Sequence, residues 1–199
     1  MHSYSKVTIF VDIEGPPTWP NEIGAVAVKR GKMMDSFLGW CPPQHDIQSL
    51  NEFKTSSRYS HGLRLGWLRA EGESRETLLT RFHCWLQNLN PQRIAANGVG
   101  DISLLLHQIG VTLPIVSIAL PNWRDRQQLD EHQDAFKAKQ AELPMCNGVR
   151  CPYTSAHYPQ IRVSTKNGET RQAKLAHGSH CALYDAYEIA LYSLNRDLV

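Results

Sequence analysis

The stretch "FVDIEGPPTWPNEIGAVAV", residues 10–28, decides how the chain is read. Extended upstream to "KVTIFVDIE" (6–14), it begins as a β-branched, apolar run of the kind that forms a central strand. That run nevertheless carries Asp12 and Glu14, and it breaks at Gly15 and the double proline Pro16-Pro17. Side chains two apart on a strand share a face, so both carboxylates project side by side. Like charges held together in a poorly hydrated place are costly unless something neutralises them. At a simple strand end both would reach water, so the meaning of the pair depends on the rest of the chain.

Working outward, "EIGAVAVKRGKMMDSFLGW" (22–40) reads as two strands around a turn at Arg30-Gly31-Lys32. The polar stretch 42–74 has weak periodicity and reads as a long loop. "SRETLLTRFHCWLQNL" (74–89) repeats apolar residues at helical spacing behind a Ser and a nearby Glu, the mark of an amphipathic helix. There follow a short strand at "RIAANG" (93–98), a helix at "DISLLLHQIG" (101–110), a buried strand at "PIVSIAL" (114–120) and a polar helix over 125–143. Asn167-Gly168 marks a tight hairpin in "VSTKNGETRQ", and "SHCALYDAYEIALYSLN" (179–195) is a last amphipathic helix with Ser179 as its cap. Three leading strands followed by alternating helices and strands predict an α/β fold, a mixed sheet flanked by helices, in a single domain over 1–199.

At 199 residues, 42% hydrophobic and 20% charged, the chain can bury a core without disulfide staples. A net charge of +2 does not mark a nucleic-acid binder, so only local clustering of basic residues could do so. The five cysteines, Cys41, Cys84, Cys146, Cys151 and Cys181, make no even disulfide framework and point to reduced thiols or metal ligation. No run of about 18 apolar residues and no signal peptide is present, which reads as a soluble, intracellular chain without a membrane partner.

Two further acids bear on Asp12 and Glu14. Asp101 follows "ANGVG" at a strand-to-helix junction, and Asp185 lies in the last helix, five residues after His180. Taken alone, Asp101 is a routine first-turn acid favoured by the helix dipole, and Asp185 is a solvated helix position. Together the four can converge on a pair of hard cations, which favour oxygen ligands and, about 4 Å apart, clamp both reacting oxygens of a phosphodiester. His180, about 140° around the helix from Asp185, is placed to lean over such a site from its rim. Its ordinary pKa suits a general base.

Asp12-x-Glu14, Asp101 and His180-x4-Asp185 resemble the DEDDh pattern of DnaQ-like 3′-to-5′ exonucleases, which share an RNase H-like fold. More narrowly, "VDIEGPPTWPNEI" (11–23), "YSHG" (59–62) and "HCALYD" (180–185) resemble the C-terminal exonuclease domain of arenavirus nucleoproteins, in order through nearly the whole chain. The resemblance implies a manganese- or magnesium-dependent 3′-to-5′ exoribonuclease that favours double-stranded RNA with a free 3′ end. It also implies suppression of interferon induction, and residence in host cytoplasm and virion ribonucleoprotein as part of a longer nucleoprotein. The family's catalytic set falls on Asp12, Glu14, Asp101, His180 and Asp185, with the four acids as ligands of two catalytic ions.

The resemblance also implies a structural zinc site, formed by Glu22, Cys181, and a Cys and a His before the last helix. The family's usual spacing would put that His at Val149, three residues after Cys146. The nearest usable pair is Cys151 and His157, with Cys146 and His177 as substitutes. Carboxylate, thiolate and imidazole around tetrahedral zinc make sound chemistry. Candidate RNA contacts are Gly15, where the backbone can approach a substrate, the "RYSHG" residues Tyr59, Ser60 and His61, and the basic residues Arg126, Lys166, Arg171 and Lys174. Two other readings share these residues: a DnaQ-like enzyme acting on DNA or single-stranded RNA, and a zinc-stapled binding domain with little catalysis.

Overall fold

A computed structural model of the chain describes residues 6–44, 65–119, 160–164, 170–174 and 182–195. Its main sheet has the order β3-β2-β1-β4-β5. The strands are β1 (Val7–Glu14), β2 (Glu22–Lys29), β3 (Lys32–Trp40), β4 (Arg93–Ala96) and β5 (Ile115–Ser117). β1 and β2 pair antiparallel, as do β2 and β3, whereas β4 runs parallel to both β1 and β5. The sheet is therefore mixed, as expected.

β1 is apolar at successive positions because both of its faces are covered. On one face Ile9, Val11, Ile23, Ala25 and Ala27 meet Leu78, Phe82 and Leu86 of α2 (Arg75–Leu89) and Ile102, Leu105 and Leu106 of α3 (Val99–Gln108). Phe37 closes this side, its ring centroid 5.1 Å from that of Phe82. The even-numbered residues face the other way, toward α4 (Ala182–Asn195), which packs over β1 and β2. Ala182, Ala186 and Ala190 are buried one turn apart on α4 and let the helix lie close to the sheet.

Local chemistry sets most element ends. Ser74 accepts a hydrogen bond from the Thr77 N–H and caps α2, and Asn90 ends it in the left-handed conformation (φ 45°). The β2–β3 hairpin turns on Arg30 and Gly31 alone, both at positive φ (53° and 71°), the conformation that matches strand twist in a two-residue turn. Val28 pairs with Met33 and Ala27 with Asp35, so Met34 is the extra residue of a bulge on edge strand β3.

The structure corrects several expectations. Inside the presumed loop 42–74 lies a helix, α1 (Leu65–Glu71), whose Leu65 and Leu68 are buried. Seven residues offer too few repeats for periodicity to register. The "PIVSIAL" strand shrinks to Ile115–Ser117 and is only partly buried, because among the described residues β5 is a sheet edge paired with β4 alone. α3 starts at Val99 rather than Asp101, the Gly98 carbonyl already accepting the Ile102 N–H. The predicted hairpin is a separate antiparallel pair, β6 (Gln160–Ser164) and β7 (Thr170–Lys174), with Ser164 opposite Thr170. Its Asn167-Gly168 turn, the 125–143 helix and the Ser179 cap lie outside the described residues.

Candidate functional site

Antiparallel pairing sets Glu14 opposite Glu22 and Asp12 opposite Gly24, so all four positions share the face that α4 covers. Gly24 is where the helix touches down. A Cβ there would fall 1.9 Å from the Leu183 N and 2.1 Å from the Ala182 carbonyl carbon, so only glycine admits the first turn of α4. Glu22 is fully buried beside it: Oε2 accepts the Ala182 backbone N–H at 3.1 Å, and Oε1 accepts from the Trp40 indole at 3.2 Å. A carboxylate from β2 thus caps α4, a role favoured by the helix dipole.

With α4 seated in this way, Asp185 in its first turn reaches the two strand acids. Ligand oxygens of Asp12, Glu14 and Asp185 all lie within 4.8 Å of one another. Burial, then Glu14 and Glu22, push Asp12 well above the usual carboxylate range; the Ile13 backbone N–H pulls the other way, and Asp101 adds to the rise. Burial raises Glu14 to about 8. Asp101 is exposed in the first turn of α3 and lies outside the 4.8 Å trio, near enough to act on Asp12 through its charge.

Asp12 and Glu14, desolvated and set side by side, resist ionisation unless a cation offsets their charge. An all-oxygen donor set of this kind fits a hard divalent ion, manganese or magnesium, with Asp12, Glu14 and Asp185 as holders. Of the expected zinc ligands, only Glu22 is described. Ala182, whose N–H it accepts, follows Cys181 directly in sequence. His180, Cys181, Cys146, Cys151, His157 and His177 lie outside the described residues, as do Tyr59, Ser60, His61, Arg126 and Lys166. Arg171 and Lys174 are placed on β7 by their backbone. Gly15 leaves β1 at φ 91°, and a Cβ there would sit 2.6 Å from Asn21 Oδ1.

Sequence reasoning did not find the Glu22 cap, the Trp40 indole that steadies it, or the seat at Gly24. The last had a signal, since a glycine inside a buried strand marks a close approach by another backbone.

No protein-family model matches the chain. It is 30% identical over 184 residues, 89% of its length, to the nucleoprotein of Cupixi mammarenavirus (isolate Rat/Brasil/BeAn 119303/1970), and it spans 27% of the length of that relative. Among solved structures, the Mopeia virus exonuclease domain fully depleted of manganese matches with a TM-score of 0.52 at 18% identity, over 99% of this chain and 79% of that one. A 3′-exonuclease in a structure of 3′-end-specific recognition of a histone mRNA stem-loop matches with a TM-score of 0.53 at 12% identity, over 99% of this chain and 84% of that one. A full-length 3′-exonuclease matches with a TM-score of 0.50 at 13% identity, over 98% of this chain and 62% of that one. At these identities the structural likenesses establish an exonuclease-like α/β fold. The chain is thus similar in sequence to part of an arenavirus nucleoprotein and similar in fold to the Mopeia virus exonuclease domain.

Proposed function

We propose that the chain is a divalent-metal-dependent 3′-to-5′ exoribonuclease that prefers double-stranded RNA. The observation that carries this reading is the gathering of Asp12, Glu14 and Asp185 within 4.8 Å on a fold otherwise seen in 3′-exonucleases. In this reading Asp12, Glu14, Asp101 and Asp185 hold two manganese or magnesium ions. Such a pair, when bound, stabilises charge on the attacking and leaving oxygens of a phosphodiester. The chain's own tasks are to hold the ions, to seat the 3′ end, and to take a proton from the attacking water. His180, five residues before Asp185, is the base.

The RNA backbone is held by Gly15, Tyr59, Ser60, His61, Arg126, Lys166 and Arg171, the last three supplying charge for phosphates. A structural zinc is held by Glu22, Cys181, Cys151 and His157, with Cys146 as substitute, and elemental analysis of the purified chain decides that part. As one domain of a longer viral nucleoprotein, the protein works in host cytoplasm and in the virion ribonucleoprotein. There it degrades immunostimulatory RNA and lowers interferon induction, an effect that a reporter assay in infected cells measures.

The deciding experiment is degradation of a 3′-labelled RNA duplex with and without manganese, by the wild type and by Asp101→Ala. Asp101 is the informative position because it stands outside the trio. Stepwise shortening from the 3′ end that needs metal and disappears in the variant supports the reading. Absence of turnover in a folded, metal-replete wild type moves it to an RNA- or partner-binding domain, and equal turnover of DNA or single-stranded RNA removes the duplex preference.

A further inference from the structure

The segment 15–21 joins the end of β1 at Glu14 to the start of β2 at Glu22, so both of its ends meet acids of the α4 face. Pro16, Pro17 and Pro20 have no N–H to give, so few of the segment's own donors can hold it. Its carbonyls are taken one after another. Pro16 O accepts the Trp19 N–H at 2.8 Å, Pro17 O accepts Gln108 Nε2 at 2.8 Å, and Thr18 O accepts Arg75 Nε at 3.1 Å.

The two outside donors are joined to each other, Arg75 Nη2 donating to Gln108 Oε1. The Arg75 guanidinium also lies 5.4 Å from the centroid of the Trp19 ring, whose Nε1 donates to Pro42 O at 2.8 Å. Gln108 makes a second donation to Leu104 O, 3.2 Å away in its own helix. Arg75 opens α2 and Gln108 closes α3, the helix whose first turn carries Asp101. The clasp therefore ties both helices to the turn beside Asp12 and Glu14. Both side chains are only partly buried.

We infer that Arg75 and Gln108 are positioning residues, a clasp that fixes the 15–21 turn as a rigid wall against which the terminal nucleotide of the substrate is seated. With three successive carbonyls engaged by protein donors, the turn keeps electron-rich oxygens from wandering toward a polyanion. This inference rests on the exonuclease reading. Two conservative variants test it. Arg75→Lys keeps the charge but loses the fork that reaches Thr18 and Gln108 at once. Gln108→Glu keeps a partner for Arg75 but removes the donor to Pro17.

The measurements are kcat and KM on a 3′-labelled RNA duplex, manganese affinity by calorimetry, and amide hydrogen exchange of a peptide spanning 15–23. The expected result is a KM raised about 10-fold, faster exchange in that peptide and unchanged manganese affinity, because a loosened wall weakens the seating of the substrate without touching the ions. A wild-type KM in both variants, beside an active wild type, overturns the clasp and leaves the exonuclease reading standing. Manganese affinity falling in step with kcat also overturns it, since the residues would then merely support the fold. An inactive wild type removes the exonuclease reading and the clasp with it. Should one variant fail to fold, the other carries the same test alone.

Discussion

The two faces of the central sheet share strands but not chemistry. Toward α2 and α3, β1 and β2 present Ile9, Val11, Ile23, Ala25 and Ala27 to Phe82, Leu78 and Ile102, an interface built of apolar side chains. Toward α4, the same strands present Asp12, Glu14, Glu22 and Gly24, and the helix meets them with a backbone N–H and Asp185. Both faces remove apolar area from water, Phe10 and Val26 being fully buried on the α4 side. Only that second face also accepts desolvated carboxylates and a bare glycine, which bring three acids together. The strands are shared, so the apolar face fixes the backbone on which the costly face is assembled.

If that division holds, a change on each face should have opposite signatures. Asp12→Asn is expected to cut metal-dependent nuclease turnover by about 10³-fold, several kcal/mol of charge stabilisation, while the metal-free protein melts no lower than wild type. A variant that instead lost stability would show that the acid face also holds the fold. Phe82→Ala is expected to lower unfolding free energy by about 3–5 kcal/mol in a denaturant titration, through the lost ring and the cavity left behind. Folded Phe82→Ala protein at low temperature should still bind manganese.

The smallest expected effect depends on pH. Burial raises Glu14 from the ordinary glutamate value of 4.5 to about 8, and Asp12 is raised as well. The folded, metal-free chain therefore holds more protons than the unfolded one across that window, and its stability falls as pH rises through it. A divalent ion removes the penalty. The melting temperature gained on adding manganese should be larger at pH 8 than at pH 5, by a few degrees, in a thermal scan. An equal gain at both pH values would mean that the two carboxyls are ionised before the metal arrives.

Much of this was legible in the chain. Apolar, β-branched runs and the turn at Arg30-Gly31-Lys32 placed β1 to β3 within a residue or two, and Ser74 and the apolar spacing after it marked α2. Asp12 and Glu14 were readable because two acids at strand spacing in an apolar run are locally inconsistent. α1 was hidden by its shortness, and β5 was overextended because an edge strand and a buried one look alike in a short apolar run. Asp185 looks solvated only when taken alone; read with the other acids it is expected at the site, and the placement of α4 brings it to Asp12 and Glu14.

By itself, then, the sequence determined the order and type of the main elements, the shared face of Asp12 and Glu14, and the resemblance through "DIEGPPT" and "HCALYD". These follow from neighbours a few residues apart, where periodicity and turn chemistry act. Only the tertiary structure decided that Glu22 caps a helix 160 residues away, that Gly24 is its landing point, that Asp101 stands outside the trio, and that Arg75 and Gln108 close on one proline-rich turn. Contacts between residues so far apart in sequence depend on how the sheet brings its strands and helices together, and no local pattern encodes that.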